Sequence, residues 1–395
     1  MRIPLMRHID RFLGLPLCWI SGLVRMMFKR RVAEPVESIL VIKFFGLGSI
    51  LLATPTLRLL RIQFPEARVI FLTFSSNSEL LEQIPMIDER WFIDPRTPGS
   101  FLKSFLVITS RLVATKIDVV LDLEFFSKFS TFIGAIARPG KHIGFALPTC
   151  WRSWNLTDSV SLKNDRHVSK TFLCTVTPLG IDGSDLALPH IRVNKAATRS
   201  LPGLPAASPY EEIICIDANA GATSLDRRWS GDCFARTIDI LQGDNPDALF
   251  CFIGSGEERE YVAGIFEKMK FRSNRIVNLA GQLTLNELMA LFSRARLMIT
   301  NDSGPMHIAA AVGLSTVALF GPESPEFYGP LGNKSINLFA SLPCSPCLNM
   351  YNAKVFRCPI NAKCMKDISV GQVVDAARIL LREDVSNEAL AEAAS

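Results

Sequence analysis

The apolar residues of this chain fall into short unbroken runs separated by helical stretches, and this alternation limits the fold more than any other feature. In the first half the runs are 38–44, 67–74, 90–94, 118–125 and 141–145. In the second half they are 212–219, 248–255, 275–280, 296–300 and 316–320. A strand with one wet face alternates apolar and polar residues. An unbroken run suits a strand covered on both faces, as in a parallel sheet between helix layers. The intervening stretches, such as 50–63 and 101–115, read as the covering helices. The pattern predicts an α/β protein with two doubly wound parallel sheets.

Between the halves lies RVNKAATRSLPGLPAASPYEE (192–212), rich in proline and small residues, which reads as a linker with the boundary near 205. The expected divisions are 1–33, 34–205, 206–368 and a C-terminal helix and tail at 369–395. Two domains of this kind would face a cleft at the carboxyl ends of their strands, where such folds bind ligands. At 395 residues the chain is long enough for two such cores.

Charge is unevenly placed. The whole chain carries +5, yet residues 1–33 hold seven Arg and Lys against Asp10 alone. The folded body is therefore close to neutral, which argues against a nucleic-acid-binding surface there. The apolar stretch FLGLPLCWISGLV (12–24) contains Pro16 and is too short to span a bilayer, which takes about 20 residues. Basic residues flank both sides and no small-residue cleavage site follows, so it reads as an interfacial membrane anchor. The alternative is a helix packed on the protein itself.

Three stretches of the second half carry polar chemistry at strand ends. In TNDSGPMHIAAAVGLSTVALFGP (300–322) a strand ends, Asp302, Ser303 and Gly304 form a turn, and Pro305 opens a helix. The free N–H groups of such a helix start hold an anion, and His307 lies one turn in. A capped helix with a buried His explains the same residues. In NAGATSLDRRWS (219–230), Thr223, Arg227 and Arg228 follow a strand, where guanidinium groups suit phosphate. In GSGEE (254–258), Gly254 precedes Glu257 and Glu258, which can accept from ribose hydroxyls. Three strand ends of one sheet carrying such groups make a nucleotide site.

The first half has one comparable turn, IKFFGLGSILLATP (42–55). A dinucleotide fingerprint would need glycine at 51, where leucine stands, so an NAD or FAD site is disfavoured. Gly46 and Gly48 still allow a close approach to a ligand, although a tight strand–helix turn needs them as well.

These residues resemble glycosyltransferase family 9, the heptosyltransferases of lipopolysaccharide core synthesis. The likeness runs from about 38 to 382 and is carried by the opening at 39–73, GATSLDRRWS, NDSGPMHIAAA with FGP after it, and the final CSPC…C…CMKDISV. The resemblance implies a GT-B fold and inverting transfer from an ADP-activated heptose to a glycolipid acceptor, with no cofactor. It also implies a cytoplasmic enzyme, peripheral on the inner face of the bacterial inner membrane. Carried over, Asp302, Ser303, Gly304, Pro305 and His307 surround the donor diphosphate, Arg227 replaces the usual phosphate-binding Lys, and Glu257 or Glu258 binds the ribose. Gly46 and Gly48 match the family's glycine turn on the acceptor side.

Ser49 departs from the pattern, since many members have there the Asp that serves as general base. A serine without a neighbouring base cannot take a proton at neutral pH. The expected replacement is Glu124, at the end of run 118–125 and on one face with Asp122. Lys128 beyond it would hold an acidic group of the acceptor. A rival reading of Ser49 is a family member that binds nucleotide sugar or glycolipid without turnover. Finally, Cys344, Cys347, Cys358 and Cys364 have spacings a structural zinc could use, although free thiols or a disulfide explain them too.

Overall fold

The computed structural model describes residues 10, 14–27, 35–147, 152–184, 191–193, 212–221, 225–332, 334–352 and 356–393. The chain divides into two compact units, residues 1–187 and 188–395. The boundary expected near 205 lies outside the described residues, as does most of the linker around it.

The first unit begins with helix α1 (Gly14–Met27), strand β1 (Ser38–Ile42) and helices α2 (Leu47–Leu52) and α3 (Thr54–Gln63). Next come β2 (Arg68–Phe74), α4 (Ser78–Glu82), β3 (Glu89–Ile93), α5 (Pro98–Ala114) and β4 (Val119–Asp122). It closes with α6 (Lys128–Ile136), β5 (Lys141–Ala146), β6 (Asp158–Ser161) and α7 (Val168–Leu173). The sheet is parallel in the order β3-β2-β1-β4-β5-β6. Right-handed crossovers therefore put α2, α3 and α4 on one face and α5 and α6 on the other. β1 sits in the middle of the sheet and is buried throughout, as its unbroken apolar run requires.

The second unit repeats the plan. It contains β7 (Ile213–Asp217), α8 (Gly231–Asp244), β8 (Leu249–Phe252), α9 (Arg259–Phe266), β9 (Ile276–Asn278) and α10 (Leu285–Phe292). Then follow β10 (Leu297–Asn301), α11 (Gly304–Ala311), β11 (Ser315–Phe320), α12 (Pro325–Tyr328), β12 (Ser335–Phe339), α13 (Lys363–Lys366) and α14 (Val370–Ala393). Its parallel sheet runs β12-β11-β10-β7-β8-β9, the same order as the first sheet when counted from β7. Both are doubly wound sheets whose chain reversal falls beside the first strand, the usual ligand position. The expected C-terminal helix belongs to this core, with Val373, Val374, Ala377 and Leu380 buried against Ile299, Val317 and Leu319.

Two strands, β6 and β12, were not evident as apolar runs. Both lie at sheet edges and are only half-buried, so their sequences need no continuous apolar stretch. The helix expected over 50–63 is broken between Leu52 and Thr54, and Pro55 at the start of α3 supplies no N–H to the preceding turn.

Of the two readings for residues 12–24, the described part matches a helix packed on the protein. α1 lies along α6 with Cys18 buried. Asn155 Nδ2 donates to the Cys18 carbonyl at 2.7 Å, and Asp10 Oδ1 accepts from the Phe129 amide at 2.6 Å. Among the described residues no helix is long and apolar enough to cross a membrane.

Candidate functional site

The second domain assembles its polar groups where β7, β8 and β10 end. Asn301 closes β10 and is fully buried. Its Oδ1 accepts from the Trp229 amide at 2.9 Å and its Nδ2 donates to the Asn219 carbonyl at 3.1 Å. Asn219 in turn donates to the Ile253 carbonyl at 3.2 Å. Two buried amides thus stitch three strand ends into one rigid rim. Gly254 has φ +156°, and a Cβ there would fall 2.6 Å from Asn219 Nδ2, so the rim closes only on glycine.

On this rim Arg227 Nη1 donates to Asp302 Oδ2 at 3.0 Å and Nη2 to the Ala220 carbonyl at 3.0 Å. Its Nε is buried without a hydrogen-bond partner among the described residues. Asp302 is buried and would repel an anion if its charge stood alone; the guanidinium offsets it.

Ser303 occupies the N-cap of α11 but does not cap it. Its hydroxyl donates instead to Asp217 Oδ2 at 2.7 Å. Among the described residues no side chain caps the α11 N-terminus, and the positive end of that helix dipole can face an anion. Pro305, in the first turn, has no N–H to satisfy, and His307 is buried one turn in.

Two carboxyl groups near the rim resist ionisation. Burial pushes Asp217 up to about 7, against the donations from Ser303 and the Asn219 amide. Burial and the Asp302 charge push Glu323 up to about 8. Neither residue was singled out by sequence reasoning. Asp217 is the polar end of a strand run and Glu323 directly follows the FGP tripeptide, so position held the only signal.

Other expected groups are redirected. Glu258 Oε2 accepts from the Ser255 amide and hydroxyl at 2.8 and 2.9 Å, a capping box that leaves Glu257 as the exposed carboxylate. The Arg228 guanidinium lies 3.9 Å from the Tyr261 ring centroid, stacked on it rather than presented at the rim. Thr223 lies outside the described residues.

Among the described residues no group of three or more His, Cys, Asp or Glu side chains could hold a metal ion. Cys344, Cys347, Cys358 and Cys364 are free thiols at different depths, Cys344 exposed and Cys364 buried in the core.

In the first domain the glycine turn is held from within. Lys43 Nζ lies 3.0 Å from Glu124 Oε1, both side chains being buried. The same oxygen accepts from the Phe44 and Phe45 amides at 2.7 and 3.0 Å. Burial alone would raise the Glu124 carboxyl, but the Lys43 charge and the two amides outweigh it and hold it below the usual range. Glu124 is thus a strut that fixes the start of the turn. Serving as a base would require it to abandon a buried ion pair, so the geometry argues against the expected role.

Asp122 is likewise structural. It is paired with Arg152 and accepts from Ser130 and Thr131 at 3.0 and 2.7 Å. Lys128 starts α6 beneath α1, where a Cβ on Gly14 would fall 2.8 Å from its own Cβ. Gly46 takes φ +86°, and a side chain there would meet Ser49 Oγ at 3.1 Å. The half-buried Ser49 hydroxyl therefore lies over the turn.

The chain is similar to known proteins over most of its length. The family model for glycosyltransferase family 9 (heptosyltransferase) matches residues 108–355. Lipopolysaccharide heptosyltransferase 3 of Escherichia coli is 25% identical over 308 residues, covering 74% of this chain and 86% of that one. The crystal structure of a family 9 glycosyl transferase from Veillonella parvula superposes with TM-score 0.73 at 25% identity, covering 88% of this chain and 97% of that chain. The E. coli ADP-heptose lipopolysaccharide heptosyltransferase II gives 0.69 at 21% identity over 88% and 99%. The chain belongs to glycosyltransferase family 9, with the GT-B fold of two Rossmann-like domains.

Proposed function

We propose that the second domain binds the diphosphate and ribose of a nucleotide-sugar donor, ADP-heptose. The chain then transfers the heptose, with inversion, to a lipopolysaccharide-core or related glycolipid. The acceptor oxygen bonds to the anomeric carbon as the bond from that carbon to the ADP oxygen breaks, ADP leaves, and the hydroxyl proton passes to water. The observation that carries this reading is the uncapped α11 N-terminus beside the Arg227–Asp302 pair. The diphosphate accepts from the α11 amides and from the unpartnered Arg227 Nε, as an anion at a helix start does. Glu257 accepts from the ribose hydroxyls. Glu323 stays protonated near neutral pH and so adds no negative charge beside Asp302. The names of the relatives, which act on lipopolysaccharide and use ADP-heptose, support the donor and acceptor. In keeping with that acceptor, the enzyme works at the cytoplasmic face of the inner membrane.

On the acceptor side, Ser49 hydrogen-bonds an acceptor hydroxyl over the fixed glycine turn, with Glu124 holding that turn in shape. Ser49 also favours a second reading, a member that binds donor without turnover. A panel of nucleotide sugars, assayed for transfer to extracted glycolipid, separates the two. Transfer from ADP-heptose by the wild-type chain supports the first reading. Donor binding without transfer, together with activity restored by Ser49→Asp, establishes the second.

A further inference from the structure

The two helix layers of the first domain differ in what they show to solvent. Helices α5, α6 and α1 lie side by side on one face of the sheet, α6 touching both neighbours. Eight large apolar side chains are exposed among the described residues of this domain, and seven belong to this layer. Leu102, Leu106, Val107 and Val113 stand on the outer face of α5, with Leu106 58% and Val113 67% exposed. Trp19 and Ile20 of α1 and Trp154, stacked on Trp19 at 5.2 Å, add the rest. The opposite layer exposes Ile62 alone.

Charge differs between the layers as well. The sequences of α1, α5 and α6 contain Arg25, Lys103, Arg111 and Lys128 and no Asp or Glu. The opposite layer carries both signs, Arg58 and Arg61 on α3 and Lys170 on α7 beside Glu79 and Glu82 on α4. The apolar arc of α5 that buries Ile108 and Leu112 runs on through Leu102, Val113 and Leu106 into solvent, wider than packing on the sheet requires, while Lys103, Ser110 and Arg111 share the remaining arc. Exposed apolar side chains beside the exposed Lys103 and Arg111 of α5 match the boundary of an anionic bilayer, where both groups are satisfied at one depth.

We propose that the outer face of the α5–α6–α1 layer is a membrane-docking surface that seats the first domain on anionic lipid, with α5 entering the headgroup region through Leu102, Leu106 and Val113. The surface lies on the folded domain itself and does not depend on the basic residues at 1–13. It is also independent of the reaction assigned to the second domain.

The test is flotation of the full chain with vesicles of phosphatidylcholine mixed with phosphatidylglycerol, and with phosphatidylcholine alone. Wild type should float with the anionic vesicles, and less as salt is raised. Leu102→Glu/Leu106→Glu should lower partitioning by about tenfold or more, the scale of losing two buried leucines. Lys103→Glu should lower it several-fold. Ile62→Glu, on the opposite layer, should float like wild type. All of these positions are exposed, and unchanged melting curves confirm folding. Flotation of the double variant equal to wild type overturns the proposal. So does a wild-type dimer that the double variant dissociates, since the face would then belong to a second copy.

Discussion

The turn after β1 and the turn after β10 begin with similar parts, a buried strand, a short loop and the start of a helix, but they spend their charges differently. After β1 the start of α2 also lacks a side-chain cap, but Glu124 collects one ammonium and two amides, so each charge there is already answered. After β10, among the described residues, no side chain caps the helix that follows Ser303, the neighbouring Arg227 Nε has no hydrogen-bond partner, and two nearby carboxyls are raised to about 7 and 8. A turn whose charges are paired internally suits a scaffold. A turn with a charged donor left over suits the proposed anion.

The sharpest way to break this contrast is to open the closed turn. Glu124→Ala strands the buried Lys43 and should destabilise the first domain by about 3–5 kcal/mol in denaturant unfolding, with ADP affinity unchanged in the folded protein. Lys43→Met/Glu124→Gln should recover much of that loss, because no lone buried charge remains. A stable, inactive Glu124→Ala would instead return Glu124 to the role of base.

On the rim beside the open turn, just past β8, Gly254→Ala drives a Cβ to 2.6 Å from Asn219 Nδ2 at φ +156°. It should cost about 1–3 kcal/mol in stability and weaken ADP binding as well, since the strained amide holds the rim. Thermal melts with and without ADP separate the two effects.

A smaller effect comes from pH. A carboxyl raised to about 8 binds its proton more tightly when folded than when unfolded. Its contribution to stability is complete below the usual carboxylate range and is lost as pH rises toward and through about 8. Ionised Glu323 also repels a diphosphate. ADP affinity should therefore fall between about pH 7 and 9, and Glu323→Gln should flatten that fall, as read by titration at each pH.

Much of the architecture was legible in the sequence because strands buried on both faces must be continuously apolar. The edge strands β6 and β12 were not, since half-buried strands carry no such demand. The expected strand ends overshot: 212–219 and 248–255 shorten to Ile213–Asp217 and Leu249–Phe252. The residues released, Asn219 and Gly254, are those that build the rim. Asp302 and Arg227 were readable from residue type and position. The roles of Glu124 and Arg228 were not, because each depends on a partner far along the chain, Lys43 and the Tyr261 ring; Ser255 and Glu258 do show the capping-box spacing in the sequence, and the ribose reading passed over it.

The most direct test of the central claim, that the open turn of the second domain is the donor site, is calorimetric titration of ADP into wild type, Arg227→Ala and Ser49→Ala. Arg227→Ala should weaken binding by about 1–3 kcal/mol, the scale of lost hydrogen bonds to a charged group, while Ser49→Ala binds like wild type. Unchanged ADP affinity in Arg227→Ala, or an equal loss in Ser49→Ala, would contradict the account.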